Sequence, residues 1–279
     1  MTYRSIFVHV DDSSRSDLRL DAAMRLARRY PADVLGTYLV SRHELSASEI
    51  ALLPPDFVRA RDASVMQAVR DAEARFRSAM KTGGIGTSHW LVPAGDPAEA
   101  AVTRARYSDL AIVGQPEPGA PEAALAAAIA HAVVNESGRP VIFVPHIGLA
   151  RTLGERVMIA WKDSRESARA VADALPILKD AKEVLAVAVA PGPEETVQEY
   201  VSDKAVMDFL RRHGVAAAVK RMNVDDVGAG EFLLSRAADF GADLIVMGGY
   251  SRPRLSRLVW GGVTDTMLKS MTVPVLMSH

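Results

Sequence analysis

A chain of 279 residues, 49% hydrophobic and 24% charged, has the balance of a soluble globular protein, and its length suits two domains that each bury a core. The formal net charge of −1 excludes a general electrostatic pull toward nucleic acid or an anionic membrane, and the lack of cysteine excludes disulfides, thiolate metal sites and cysteine nucleophiles. No apolar run approaches the roughly 18–20 residues that span a bilayer, and the first residues run into a strand-like segment without a secretory hydrophobic region, so the cytoplasm is the expected location.

Short apolar runs alternate with longer amphipathic ones. Ile6 to Val10 reads as a mostly buried strand, and Leu18, Ala22 and Leu26 then recur at helical spacing. Asp33 to Val40 is the next strand. Pro54-Pro55 precede a long helix with Val65, Val69, Ala72, Phe76 and Met80 on one face. A strand over Ser88 to Val92, a helix over Pro97 to Arg106, a strand over Leu110 to Val113, an alanine-rich helix over about Glu122 to Ser137 and a strand over Val141 to Val144 complete a cycle. Strands alternating with helices predict a parallel sheet covered on both faces.

The cycle restarts at Val157 to Trp161. A helix over Ser164 to Leu178 follows, with Asp163 and Glu166 spaced as a capping pair. Then come a strand over Val184 to Val189, a helix over Val201 to Arg212, a strand over Val215 to Met222, a helix over Glu231 to Asp239, a strand over Leu244 to Met247, a helix over Val263 to Ser270 and a strand over Val273 to Leu276. Asp109 to Gly114 faces Asp243 to Gly248 at an offset of 134, and Arg139 to Ile142 faces Val273 to Leu276 at the same offset. The first strands differ by 151, so the first copy carries 17 more residues between its first and fourth strands, with much of that surplus expected around Ser41 to Pro55. The reading is two tandem open five-stranded parallel sheets with helices on both faces, in domains 1–147 and 154–279.

In open parallel sheets ligands bind beyond the carboxyl ends of the strands, where strand order switches. In the second copy the fourth strand ends in Gly248-Gly249-Tyr250-Ser251-Arg252-Pro253, and Gly261-Gly262-Val263-Thr264 opens the next helix. Glycines let backbone approach a ligand, and free N–H groups at a helix start suit a phosphate. Arg252, Arg254 and Arg257 can add charge, or simply face water. In the first copy the loop reads Gly114-Gln115-Pro116-Glu117, Ala127 and Ala128 face Gly261 and Gly262, and Glu117 faces Ser251, where it would repel an anion.

These residues resemble the universal stress protein family. Val10-Asp11-Asp12-Ser13, Gly95-Asp96-Pro97, the Asp243 to Gly248 strand, Gly261-Gly262-Val263-Thr264 and Val273-Pro274-Val275-Leu276 carry the likeness over essentially the whole chain. The resemblance implies a Rossmann-like, adenine nucleotide alpha hydrolase-like unit and pairing of units through their last strands, which two fused copies can satisfy within one chain. A homo-oligomer stays open, and neither nucleic acid nor membrane is an expected partner. Some members bind ATP and others do not. In binders the loop glycines and a following Ser/Thr hold phosphates, and the Asp after the first strand helps read the adenine end.

Carried over residue by residue, the nucleotide candidates of the second copy are Ala160, Trp161 and Lys162 at the first strand end, and Met247, Gly248, Ser251, Gly261, Gly262 and Val263 around the loop; Asp11 is the first copy's one retained position. The departures are specific. Ser251 stands at the second loop glycine, Gly262 replaces the Ser/Thr, and Lys162 reverses the charge of the Asp position. ATP is therefore expected, if anywhere, in the second domain and not in the first. His9 and His131 read as structural, His279 as a frayed terminus, Ser13-Ser14 and Ser164 as helix caps, and Trp260 as core. No Gly-x-Ser-x-Gly elbow and no P-loop is present. The expected function is a non-enzymatic stress-response protein. The alternatives are an ATP hydrolase or nucleotidyl transferase, for which Asp265 is the one nearby acid, and an interaction scaffold without a small ligand.

Overall fold

The structure is a computed structural model that describes residues 2–40, 52–120, 122–190, 197–223, 228–249 and 262–279. Unit one runs β1 (Ser5–Val10), α1 (Ser16–Arg29), β2 (Asp33–Tyr38), α2 (Pro55–Thr82), β3 (Ser88–Leu91), α3 (Pro97–Arg106), β4 (Leu110–Gly114), α4 (Ala123–Glu136) and β5 (Val141–Val144). Unit two runs β6 (Arg156–Trp161), α5 (Arg165–Asp173), α6 (Leu175–Asp180), β7 (Glu183–Ala190), α7 (Val197–Arg212), β8 (Ala218–Asn223), α8 (Ala229–Phe240), β9 (Leu244–Gly248), α9 (Gly262–Ser270) and β10 (Val275–Ser278).

The strands form one sheet in the order β3-β2-β1-β4-β5-β10-β9-β6-β7-β8. Within each unit every pairing is parallel, and strand order switches between the first and fourth strands. The units join through their last strands, antiparallel, with Val275 opposite Phe143, Leu276 opposite Ile142 and Met277 opposite Val141. Because that joint is antiparallel, the carboxyl ends of the two strand sets open on opposite rims of the sheet. An apolar layer on each face, built from the alternating side chains of buried strands, spans both units. The duplication extends to fastening. The Asp109 carboxylate accepts from the Arg4 and Ser5 N–H groups at the foot of β1, and Asp243 accepts from Gly154, Glu155 and Arg156 at the foot of β6.

Several local expectations are corrected. The helix expected over Ser164 to Leu178 is two helices, because Pro176 lacks the N–H that would bond back to Ala172 and the backbone breaks at Ala174. The cap of α5 is Ser164, whose Oγ accepts from Ser167 N at 3.2 Å, rather than the Asp163–Glu166 pair. Ser13-Ser14 do not cap α1. Its N-cap residue, Arg15, makes no side-chain cap bond, and the Ser13 hydroxyl turns back to Asp11. α7 begins at Val197 instead of Val201, and β8 at Ala218 instead of Val215, which is buried in the segment that leads into it. His279, expected to fray, sets Nδ1 3.1 Å from the Gly249 carbonyl oxygen.

The surplus of unit one is shared between a connection and a helix. α2 has 28 residues against 16 for α7, and residues 39–54 precede it where 191–196 precede α7. Residues 41–51 of that connection lie outside the described residues. Only Ala72, Phe76 and Met80 of α2 are buried, so its first half runs past the sheet.

Candidate functional site

In unit one the end of β1 is occupied by a partly buried polar network. Arg19, on the inner face of α1, sets Nη2 2.6 Å from Asp11 Oδ1 and donates from Nε to the His9 carbonyl oxygen at 2.8 Å. Asp11 Oδ1 also accepts from Ser13 N at 3.0 Å and Ser13 Oγ at 2.6 Å. His9 Nε2 lies 3.2 Å from the Leu39 carbonyl oxygen and 3.6 Å from Asp11 Oδ2. Arg75 of α2 donates to the Asp11 carbonyl oxygen at 3.2 Å, and Tyr38 OH donates to the Asp12 carboxylate at 2.7 Å.

The electrostatics follow from this packing. Burial, reinforced by the Arg19 charge, lowers the His9 pKa from 6.5 to about 4, so the ring stays neutral. Burial alone would raise Asp11. The Arg19 charge and the Ser13 hydrogen bond outweigh it and hold the carboxyl below its ordinary value. Above this pair, Arg15 grips Glu117, with Nε 3.3 Å from Oε2 and Nη2 3.4 Å from Oε1. The pair ties the loop after β1 to the loop after β4, across the place where an open α/β sheet receives its ligand. A cavity of about 90 Å³ does lie nearby, at the ends of β2 and β3, between Tyr38, Leu39, Val40 and the Pro93–Pro97 turn. It falls short of the ~300 Å³ at which small-molecule pockets begin.

Unit two has different contents at the same place. Ala160 and Met247 are register neighbours on β6 and β9. Trp161 is buried and donates from Nε1 to Ser202 Oγ on α7 at 3.2 Å, filling space beneath the end of β6. Lys162 follows it and is exposed. At the 151-residue offset Ala170 stands where unit one has Arg19, so the buried cation is missing from α5. The start of α5 instead packs directly on Gly248. A Cβ there would lie 2.6 Å from Ser167 N and 2.8 Å from Glu166 Cβ. Glu166 is itself buried, and its carboxylate pairs with Arg165. Across the sheet end, Gly262 opens α9 with φ +51, a conformation that suits glycine, and Val263 behind it is half-buried. Asp265 in the first turn of α9 pairs with Lys269 at 2.8 Å. Ser251, Gly261, Trp260, Arg252, Arg254 and Arg257 lie outside the described residues.

Thus Ala160, Trp161, Lys162, Met247, Gly248, Gly262 and Val263 share one rim of unit two, while Asp11 is on the opposite rim, in unit one. Sequence reasoning missed Arg19, Arg15 and Arg75 as the groups that engage Asp11 and Glu117. One usable signal existed: Arg19 is three residues from Ser16 on a helix whose inner face is otherwise small or apolar. Among the described residues no three His, Asp or Glu side chains cluster as a metal site, and no helix is long and apolar enough to cross a membrane.

The fold and its rims define a doubly wound α/β protein made of two copies of one unit, joined as a pseudo-dimer. The Universal stress protein family model matches residues 2–145 and again 154–279, and the chain belongs to that family as a tandem member. It is similar in fold to a universal stress protein from Archaeoglobus fulgidus DSM 4304, with 15% identity, 98% and 97% of the two chains covered and a TM-score of 0.75. A putative universal stress protein from Pseudomonas aeruginosa UCBPP-PA14 aligns at 16% identity over 98% and 92%, TM-score 0.57. The cytoplasmic domain of a prokaryotic cation chloride cotransporter aligns at 10% over 100% and 96%, TM-score 0.55. No curated protein matches the sequence.

Proposed function

We propose that this chain is a non-enzymatic, ligand-responsive stress protein in which the second unit carries the nucleotide-binding crevice and the first is a closed structural partner. The observation that supports this most is the contrast at the two strand ends. In unit one a buried Arg19 holds the half-buried Asp11 beneath an Arg15–Glu117 pair. In unit two Lys162 is exposed at the end of β6, on the same rim where Gly262 opens α9. A nucleoside phosphate suits the second arrangement. Lys162 supplies a cation, and the first N–H groups of α9 supply donors that the helix itself does not use. The binding is weak, because Gly262 offers no hydroxyl and Lys162 cannot accept a hydrogen bond from a ribose or base as an Asp would.

Equilibrium binding of labelled ATP to the purified chain tests the reading. Binding in the micromolar range, weakened about tenfold or more by Lys162→Glu or Gly261→Glu and changed far less by Arg15→Ala, is the expected result. Binding that survives Gly261→Glu sinks the assignment to unit two. Metal-dependent ATP turnover lost in Asp265→Ala overturns the non-enzymatic part. A second reading, a scaffold without a small ligand in either unit, is favoured by Trp161, whose indole already fills the space below the end of β6. Absence of ATP binding by the wild-type chain would select it.

A further inference from the structure

Gln115 follows Gly114 directly, on the loop after β4, at the unit-one rim. Its side chain is buried and reaches into the other unit. Nε2 donates to the carbonyl oxygens of Leu268 at 2.9 Å and Lys269 at 3.1 Å, and Oε1 accepts from His146 N at 3.0 Å. Leu268 and Lys269 belong to the last turn of α9, where carbonyls have no partner within the helix. One amide therefore completes the end of a helix in unit two and holds the segment that leads from β5 toward β6.

The antiparallel joint gives this contact its reach. α9 starts at the unit-two rim with Gly262 and runs back across the sheet, about 13 Å for nine residues. Its far end meets the unit-one rim, and Gln115 meets it there. Gln115 is also continuous with unit one's own network. Gly114 packs against the Arg19 guanidinium, with Nη1 2.6 Å from where a Cβ would sit, and Glu117 two residues on is held by Arg15. The mirror contact is missing. At the 134 offset the counterpart of Gln115 is Gly249, which has no side chain to extend and lies against Val134 of α4. The end of α4 is served from within its own unit, by Arg106 donating to the Glu136 carbonyl oxygen at 3.0 Å.

From this one-sided arrangement we infer that Gln115 is a cross-unit positioning residue: it fixes α9, and through α9 the helix start at the unit-two crevice, to the β4 loop of unit one. Its link to ligand binding rests on the nucleotide reading above; the clamp itself does not. Any ligand that orders the start of α9 is then coupled to the unit-one loop network, and the coupling acts equally in both directions.

Gln115→Glu separates the two halves of the contact. The variant keeps an acceptor for His146 N–H, loses both donors to α9, and brings a negative charge to a helix carboxyl end. Hydrogen exchange on the full chain, without ligand, is the primary test. Amides of residues 265–270 are expected to exchange about tenfold faster or more, with α4 and β1 unchanged. Gln115→Met, close in length and without hydrogen bonds, is expected to show the same local pattern and takes over if the Glu variant does not fold. Labelled ATP is expected to bind about tenfold more weakly to either variant while exchange in β1 stays unchanged. Unchanged exchange in α9 overturns the proposal, and so does equal acceleration in α4 and α9, which would mean general loosening. A wild-type chain that binds no ATP sinks the nucleotide reading alone, because exchange still decides the clamp.

Discussion

The ends of β1 and β6 hold the same place in their units and have opposite chemistry. At β1 a half-buried aspartate is held by a buried arginine, and a second ion pair spans the loops above it. At β6 a lysine is exposed, and the helix that follows lies directly on glycine backbone. The comparison teaches that a residue of the expected type and a free site are different things. Asp11 stands at the end of the first strand, yet its carboxylate is already engaged by Arg19 and Ser13. Unit two has Lys162 in that place, on the same rim as Gly248 and Gly262.

The contrast can be broken most strongly at Arg19. Arg19→Leu leaves the half-buried Asp11 without its cation and opens the space of a buried side chain, and a loss of about 3 kcal/mol of stability is expected in urea melts. A cost as small as a surface change would mean that the pair is not what closes unit one. The next effect is pH. Folded His9 stays neutral down to about 4, whereas the unfolded chain takes its proton near 6.5. The unfolded state therefore binds the extra proton between these values. Stability should be full above about pH 6.5 and fall by something on the order of 3 kcal/mol toward pH 4. Asp11, whose folded pKa is lowered, adds its own loss only below that window. His9→Gln should flatten the profile between pH 6.5 and 4, while any titration left there would belong to other groups.

A smaller effect separates two glycines at the 134 offset. In Gly248→Ala the new methyl meets the Ser167 backbone nitrogen, so α5 has to move, for about 1–3 kcal/mol. In Gly114→Ala it meets only the Arg19 guanidinium end, and the thermal shift should be less. Equal shifts would mean that α5 does not pack more rigidly than α1. The smallest change is Lys162→Glu. On an exposed side chain it should move stability by no more than about 0.5 kcal/mol, while it weakens any nucleotide binding.

The sequence carried the architecture well, because strand and helix periodicity are local and the repeat offsets need no three-dimensional information. The Asp109 and Asp243 pair shows this. Both were found by offset, and both fasten the foot of a first strand. The state of the site was less legible. Arg19 is an ordinary arginine on an amphipathic helix until α1 is docked, and only then does its guanidinium reach Asp11. Gln115 looked like one more departure from a glycine loop, since its partners are 153 and 154 residues away. The break at Ala174 was readable in principle from Pro176, but the apolar spacing on either side continued through it.

The antiparallel joint between β5 and β10 has one more consequence. Two separate copies meeting through such strands would come apart on dilution, and every substitution would appear on both sides of the axis. Carried on one chain, the partners stay at a high effective concentration whatever the protein level. A residue can also change on one side only. Gln115 opposite Gly249 is a change of that kind, open to a fused pair and closed to a symmetric one.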